Sequence, residues 1–532
     1  MPNQNRLPTP VSWRKLKKLL RGYDSVETQF LIDGFKHGFK IPFHGTLAQT
    51  IAPNSRTINQ SPQAVLDNIT TELQAGRIAG PFDEPPLPFY RSSPIALVPK
   101  KDSQKFRTIH NLSYPYKSGS VNEGISAQDS TVQYSTFSDA IRKLNNLPPR
   151  AFLAKSDIRS AFRLVPIHPD SYHLLGFTYD NKYYYDKCLP FGLACSCQIF
   201  ERFSRALEWI LTTKLHVQNV THLLDDFLFM GSTYSECNRY LLTFIALCDH
   251  LGIPIAHDKT VSPTHQLTFL GITINTLSMQ TSLPQDKVDK CRLLVNQAFA
   301  AQKLTLRQLQ SLIGTLNFAC SVILPGRPFL RRLINLSSGI KNPFHHIRLT
   351  RDTKNDLHIW LQFLESFNGK AFILYKEPVS AASLNLYTDA AQSIGFGATL
   401  GSHWLQSKWP ESWKQFNISV LELYPILVSV HVWAHLLKNH TIIFHCDNMA
   451  VVHILNSRTA KDPHLLALLR HLVLLSLKYN INFRANHIPG LTNSIADKLS
   501  RFQAVPLQSP HLQLDPSPTP LPPHLIPDNF IW

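Results

Sequence analysis

The 532-residue chain predicts a multidomain α+β and α/β protein, two mixed modules joined by a helical segment. Three observations carry that expectation. Apolar residues make up 44% of the chain, enough for real cores. Strand-like and helix-like patterns alternate through 93–274 and again through 384–501. Between them, residues 284–340 keep helical spacing alone.

Taken in order, residues 1–60 are mixed and polar and read as a linker. They hold one short basic helix candidate, with Trp13, Leu16, Leu19 and Leu20 on one face. Residues 93–112 read as a β-hairpin, Pro94-Ile-Ala-Leu-Val-Pro and Phe106-Arg-Thr-Ile, joined by a polar turn. Phe152–Asp157 reads as a strand ending in an acid, and Gln198–Thr213 has helical spacing. His222–Met230 is an apolar run broken by two aspartates, and Thr268–Ile274 is a further strand with Gly271 inside it. Pro284 suits a first helical position, and Thr305 with Gln308 forms a capping box. From 384 onward the pattern is β-β-α-β-α-α-β-α, with helices at 419–437, 448–457, 463–478 and 494–501 and later strands at 441–446 and 481–487. The last 27 residues hold eight prolines, which predicts an extended spacer.

Composition narrows the class. Lys+Arg 53 against Asp+Glu 36 gives a charge of +17, which makes nucleic acid the leading partner. The apolar run Leu465–Leu477 is broken by Arg and His, so no membrane span and no membrane partner are expected. Trp13–Arg21 alternates Lys/Arg with Leu where a signal peptide would have an apolar core, so a soluble intracellular protein is expected, nuclear or cytoplasmic. Eight scattered cysteines, the closest being Cys195 and Cys197, form neither a disulfide framework nor a zinc finger.

Two groups of acids carry the chemistry. In Leu223-Leu-Asp-Asp-Phe-Leu-Phe-Met, Asp225 and Asp226 interrupt an apolar strand-like run, and Asp157 closes another, Ala151-Phe-Leu-Ala-Lys-Ser-Asp. Like charges inside apolar surroundings call for a compensating cation, and a divalent metal suits carboxylate oxygens. A solvated Asp-Asp surface turn is the other reading. The second group is Asp389, after Leu384-Asn-Leu-Tyr-Thr; Glu422, in the apolar helix Val420-Leu-Glu-Leu-Tyr-Pro-Ile-Leu; Asp447, closing Thr441-Ile-Ile-Phe-His-Cys; and Asp497, ten residues after His487. Each alone could begin a turn or charge a helix terminus.

Between Arg91 and Asn275, the hairpin, Asp157, Leu189-Pro-Phe-Gly-Leu, Asp225-Asp226 and Phe269-Leu-Gly-Ile resemble a reverse transcriptase. That resemblance implies a right-hand polymerase of fingers, palm and thumb. Asp157, Asp225 and Asp226 would bind two magnesium ions, and Lys100, Lys101 and Arg107 would meet the incoming deoxynucleoside triphosphate. It makes Phe162 a steric gate against a ribose 2′-hydroxyl and sets Phe191 near the nucleotide; both could instead be core. Leu223 stands where many such enzymes have an aromatic residue. The segment 382–502 resembles ribonuclease H, which implies that Asp389, Glu422, Asp447 and Asp497 bind two more magnesium ions and that His487 shuttles protons or helps product leave. A packed or surface histidine is the plainer reading of His487. The implied partners are an RNA template, a DNA primer and an RNA–DNA hybrid.

The strings Ile32-Asp-Gly-Phe-Lys-His-Gly-Phe, Glu422-Leu-Tyr-Pro-Ile, His445-Cys-Asp-Asn-Met-Ala-Val-Val and Ala496-Asp-Lys-Leu-Ser-Arg-Phe-Gln look most like DIRS-type retrotransposons, which implies a tyrosine recombinase encoded by the same element. A gypsy-type polyprotein shares the general motifs and fits these strings less well. The expected organisation is an N-terminal extension (1–60), fingers and palm (61–283), thumb (284–345), connection (346–381), ribonuclease H-like domain (382–502) and proline-rich tail (503–532), leaving no room for an integrating enzyme. A domesticated or inactive copy that binds nucleic acid without catalysis is the alternative in another functional class.

Overall fold

The computed structural model describes residues 7–99, 106–116, 118–366, 371–372, 384–438, 440–479, 481–505, 508–509 and 512–530. The chain forms two compact units, Met1–Leu270 with Ile274–Met279, and Gly271–Thr273 with Gln280–Trp532.

The first unit begins with helices α1 (Trp13–Leu19) and α2 (Ser25–His37). The hairpin expected at 93–112 is present as β1 (Ile95–Pro99) and β2 (Phe106–His110), paired from Ile95↔His110 to Pro99↔Phe106. A four-stranded antiparallel sheet follows, built from β3 (Phe152–Ile158), β4 (Val220–Leu223), β5 (Asp226–Gly231) and β6 (Ile255–Thr264) in the order β6-β3-β5-β4. Helices α3 (Ser196–Trp209) and α4 (Tyr234–Leu251) supply apolar faces to its core. Side chains alternate along β5. Phe227 and Phe229 lie against Phe244 of α4, with ring centroids 4.6 and 5.3 Å apart, so Asp226 faces the other side. The helix expected over 198–213 leaves α geometry at Trp209 and continues as a π-helical turn, Ile210–Lys214.

Two further expectations for this part of the chain change. The linker expected over 1–60 is not what its described part, 7–60, forms: Leu16, Leu20, Leu31, Ile32, Phe35 and Phe39 are buried in the same core as Phe203 and Phe227. The polar residues that suggested a linker lie on the outer faces of α1 and α2, and Ser12 N–H donates to Leu251 O at 2.8 Å. The strand expected over 268–274 is two strands, Gln266–Phe269 and Ile272–Asn275. Leu270 and Gly271 both take positive φ (49° and 74°), which turns the chain.

The second unit starts with α5 (Gln285–Ala300) and α6 (Leu306–Ala319). Pro284 is the residue before α5 rather than its first helical position, while Thr305 and Gln308 form the expected capping box. Helix α7 (Arg351–Ser366) carries Asp356, 2% exposed. A five-stranded sheet follows: β7 (Leu384–Ala391), β8 (Gly395–Leu400), β9 (His403–Lys408), then α8 (Ile418–Val432), β10 (Thr441–Cys446), α9 (Met449–Ser457), α10 (Pro463–Lys478), β11 (Asn482–His487) and α11 (Ser494–Ser500). Its order is β9-β8-β7-β10-β11, antiparallel through β9-β8-β7 and parallel through β7-β10-β11. Strand β9 is one more than the sequence pattern indicates; its His403-Trp-Leu-Gln-Ser-Lys buries only Leu405. The helix expected over 419–437 is α8 plus the separate turn Ala434–Leu437. Asp356 of α7 accepts from Arg470 of α10 at 2.5 Å and Arg332 at 3.3 Å, tying the segment before the sheet to its helical layer.

The tail is not an extended spacer. Asp515 N–H donates to Ser402 O (2.9 Å), just before β9, and Thr519 N–H to Trp404 O (2.7 Å) within it. Tyr424 Oη donates to Leu525 O at 2.8 Å, and Phe530 packs edge-on to Tyr424. Proline removes donors but leaves carbonyls and neighbouring N–H groups, which suffices for strand-edge bonding and two short 3₁₀ turns, Pro523–Leu525 and Pro527–Asn529.

Candidate active sites

In the first unit, antiparallel pairing sets Asp226 of β5 directly opposite Asp157 of β3, and Asp226 also pairs with Leu223 across the two-residue turn Leu224-Asp225. Leu224 takes positive φ (52°), which tightens that turn, and Ile158 N–H donates to Asp225 O at 3.0 Å. The three acids are therefore brought together by a hairpin and its neighbour, not left on a solvated surface turn. Asp157 is 7% exposed, and Oδ1 of both Asp157 and Asp226 is buried without a hydrogen-bond partner. Burial pushes the Asp226 carboxyl up to about 7 against the pull of Lys155, with the Asp157 and Asp225 charges adding to the rise. Burial likewise raises Asp225, with Asp157 adding and Lys259 and Arg107 opposing.

Beside this trio, Arg107 of β2 lies over the Phe191 ring at 4.5 Å, and Phe191 touches Phe162 with centroids 5.3 Å apart. Both rings are half-buried, and Phe162 also packs on buried Phe200 at 5.7 Å, so its inner edge is core and its outer edge open. The loop is fixed from behind, since His110 N–H donates to Phe191 O at 3.0 Å and Gly192 (φ 110°) brings its backbone close against His110 O. Lys100 and Lys101 lie outside the described residues.

Two features here escape sequence reasoning. Lys259 Nζ sits 2.8 Å from Asp157 Oδ2, carried there by an irregular stretch of β6 whose register to β3 shifts between Ala256 and Val261. Glu201 of α3, 2% exposed, faces the turn through Leu224 N–H (3.4 Å) and faces His222 Nε2 (3.3 Å), whose Nδ1 meets Glu208 at 2.5 Å. Glu201 follows helical spacing among apolar residues, a signal that marks it as buried but does not say what it faces.

In the second unit, Glu422 of α8 lies under the end of β10, where ligand atoms of Glu422, Cys446 and Asp447 all fall within 4.8 Å of one another. Burial raises the Glu422 carboxyl well above its usual range, with the Asp389 and Asp447 charges adding. Burial pushes Asp389 of β7 up to about 6; Ser500 Oγ, donating at 2.6 Å, opposes the rise, and Asp447 and Asp497 reinforce it. Asp497 stands at the exposed rim, ion-paired to Arg501 at 2.8 Å. His487 Nε2 meets Asp447 O at 3.1 Å, and β11 pairs His487 with Cys446. Cys446 is the neighbour that sequence spacing did not nominate; burial pushes its thiol up, and a protonated soft donor is a poor ligand for a hard cation. Asp389, Glu422 and Asp447 thus share one field, with Asp497 and His487 on its open side. All eight cysteines are free, and among the described residues no helix is long and apolar enough to cross a membrane.

Residues 98–274 match the family model for reverse transcriptase (RNA-dependent DNA polymerase). The chain is 22% identical over 367 residues to a polyprotein of Cassava vein mosaic virus described as enzymatic, covering 66% of this chain and 53% of that protein. It spans about half the length of that relative. Among solved structures, a foamy viral protease-reverse transcriptase in complex with double-stranded DNA matches with TM-score 0.52 and 17% identity, over 91% of this chain and 84% of that one. The same viral protein in complex with an RNA/DNA hybrid matches with TM-score 0.50 and 17% identity, over 98% and 67%. The shared fold is the right-hand polymerase fold.

Proposed function

We propose, from a chain that carries a reverse transcriptase domain over residues 98–274, that it copies RNA into DNA and then cuts the RNA strand of the resulting hybrid. The observation that carries the first half is the direct opposition of Asp157 and Asp226 with Asp225 on the adjoining turn, inside the matched stretch. Unpartnered Oδ1 atoms and upward-shifted carboxyls fit a divalent cation, which would relieve both. Asp157, Asp225 and Asp226 would hold two magnesium ions, whose role is to stabilise the charge on the attacking 3′-oxygen and the leaving pyrophosphate. Arg107, stacked on Phe191, presents its guanidinium for a bidentate grip on the triphosphate; Lys100 and Lys101, outside the described residues, are proposed as further triphosphate contacts from the resemblance alone. Phe162, half-buried beside Phe191, would be the steric gate that excludes a ribose 2′-hydroxyl. Lys259 neutralises Asp157 and would yield that carboxylate to the ion.

The second half rests on Asp389, Glu422 and Asp447 with Asp497 at the rim, on the sheet order β9-β8-β7-β10-β11. They would hold the second pair of magnesium ions, with His487 at the mouth for proton transfer or product release. Template RNA, DNA primer, hybrid and deoxynucleoside triphosphates are the corresponding partners. The bounds 61–283, 284–345, 346–381 and 382–502 serve as fingers and palm, thumb, connection and nuclease. The strings at Ile32, Glu422, His445 and Ala496 support a DIRS-type origin, with a tyrosine recombinase from the same element as companion.

The test is primer extension and hybrid cleavage with magnesium. Asp225→Asn removes synthesis by about a thousandfold, a loss of roughly 4 kcal/mol, and leaves cleavage intact. Asp447→Asn does the reverse. Native protein that neither extends nor cuts overturns the reading in favour of a nucleic-acid-binding protein without catalysis.

A further inference from the structure

Helix α1 carries a charge pattern that the two sites do not use. From Leu7 to Tyr23 the chain contains no acid and five cations, Arg14, Lys15, Lys17, Lys18 and Arg21, all exposed. Arg14, Lys17, Lys18 and Arg21 recur at three- and four-residue steps, so they form one stripe along the helix and just past its end. Like charges at those steps repel, and among the described residues none of the four has an ion-pair partner. Lys17 and Lys18 complement the carbonyl end of the helix, but Arg14 lies in its first turn, where a positive charge is unfavourable. The stripe is nevertheless held rigidly. Leu16 and Leu20 are 0% and 1% exposed in the core shared with α4, and Lys15 Nζ donates to His250 O at 2.9 Å. Arg14 and Lys36 both lie over the Trp13 ring, at 4.8 and 5.5 Å, which adds a cation from α2 to the same surface.

We infer that this stripe is a second nucleic-acid surface, which grips the phosphate backbone of single-stranded RNA on the helix-covered side of the β6-β3-β5-β4 sheet. The acids Asp157 and Asp226 face the opposite side of that sheet, so the strand bound here is not the one being extended. The inference rests on the polymerase reading for its choice of RNA. The surface does not suit insertion into a bilayer: the apolar side of α1 is spent in the core, which leaves nothing to insert between lipids. The stripe runs about 10 Å along the helix, the length of about three stacked nucleotides.

The experiment uses the full chain, with a primer–template duplex in excess to fill the extension cleft, and a fluorescent 20-nucleotide single-stranded RNA as probe. The four-site variant Arg14→Gln, Lys17→Gln, Lys18→Gln, Arg21→Gln is compared with the charge-preserving Arg14→Lys, Arg21→Lys. The expected result is at least a tenfold weaker Kd for the four-site variant, with the slope of log Kd against log salt reduced by up to about 3. The charge-preserving variant stays near wild type, and all three proteins melt at the same temperature. Equal Kd and slope for wild type and the four-site variant overturn the proposal, as does capture of phosphatidylserine vesicles but not RNA by the wild type. Primer extension by the same wild-type preparation, with no RNA retained, sinks this surface while leaving the polymerase reading standing; no extension at all sinks that reading instead.

Discussion

At the scale of single residues, burial decides which acids matter. Asp389 ionises in water near 3.8 but near 6 in the fold, because its carboxyl is buried beside Asp447 and Asp497. A raised folded value means the protonated form is favoured in the native state. The stability it contributes is therefore full below about pH 4 and lost as pH climbs through 6, roughly 3 kcal/mol in the metal-free chain. Asp389→Asn should thus melt close to wild type at pH 4 and higher than wild type at pH 7, and magnesium at pH 7 should close the gap by raising the wild type alone. Calorimetry at the two pH values checks this; an Asn variant that melts lower at both would contradict it. Phe162 makes a second prediction. With one edge on Phe200 and the other open beside Phe191, Phe162→Ala should admit ribonucleotides, raising their incorporation relative to deoxynucleotides at least tenfold in single-addition assays. The acids were legible in the sequence because charge inside an apolar run is costly and so conspicuous. Lys259, Ser500 and Glu201 were not, because their partners lie 102, 111 and 23 residues away and local pattern carries no record of register.

At the scale of elements, alternation and caps read well, and irregularity does not. The β1-β2 hairpin, strand β3, the Thr305 capping box and α10 all fall where spacing predicts, since each repeats a period of two or 3.6 or uses a side chain to finish a helix. The turn at Leu270-Gly271, the π-helical Ile210–Lys214 and the register shift in β6 break those periods, and the sequence around them looks regular. Strand β9 was missed because only Leu405 of its six residues is buried. The Leu189-Pro-Phe-Gly-Leu loop offers a test at this scale. Gly192 combines φ of 110° with a backbone approach that would place an added Cβ 2.0 Å from His110 O. Gly192→Ala must push the loop off β2, carrying Phe191 from under Arg107. Its expected signature is a KM for deoxynucleotides raised about tenfold together with a lowered melting temperature, since alanine is strained at that φ. An unchanged KM would mean that the Arg107–Phe191 stack does not grip the nucleotide.

At the scale of the whole molecule, two segments whose composition suggests slack, 7–60 and 512–530, are both docked. Polar and proline-rich composition describes what faces water; it does not reveal that Leu16, Phe35, Leu514 and Leu525 are buried. The docked tail has a consequence beyond the stability of one molecule. Strand β9 is the outermost of its sheet, and a bare sheet edge is a template on which another chain can add. Thr519 already occupies its carbonyl at Trp404, and Asp515 that of Ser402 just before the strand, so the tail closes the edge to neighbours. A chain ending at residue 505 should therefore associate with itself: light scattering should rise with concentration where the full chain stays level, and a peptide of residues 512–530 added in trans should suppress it. What looked like a loose appendage is, on these terms, the protein's protection against its own aggregation.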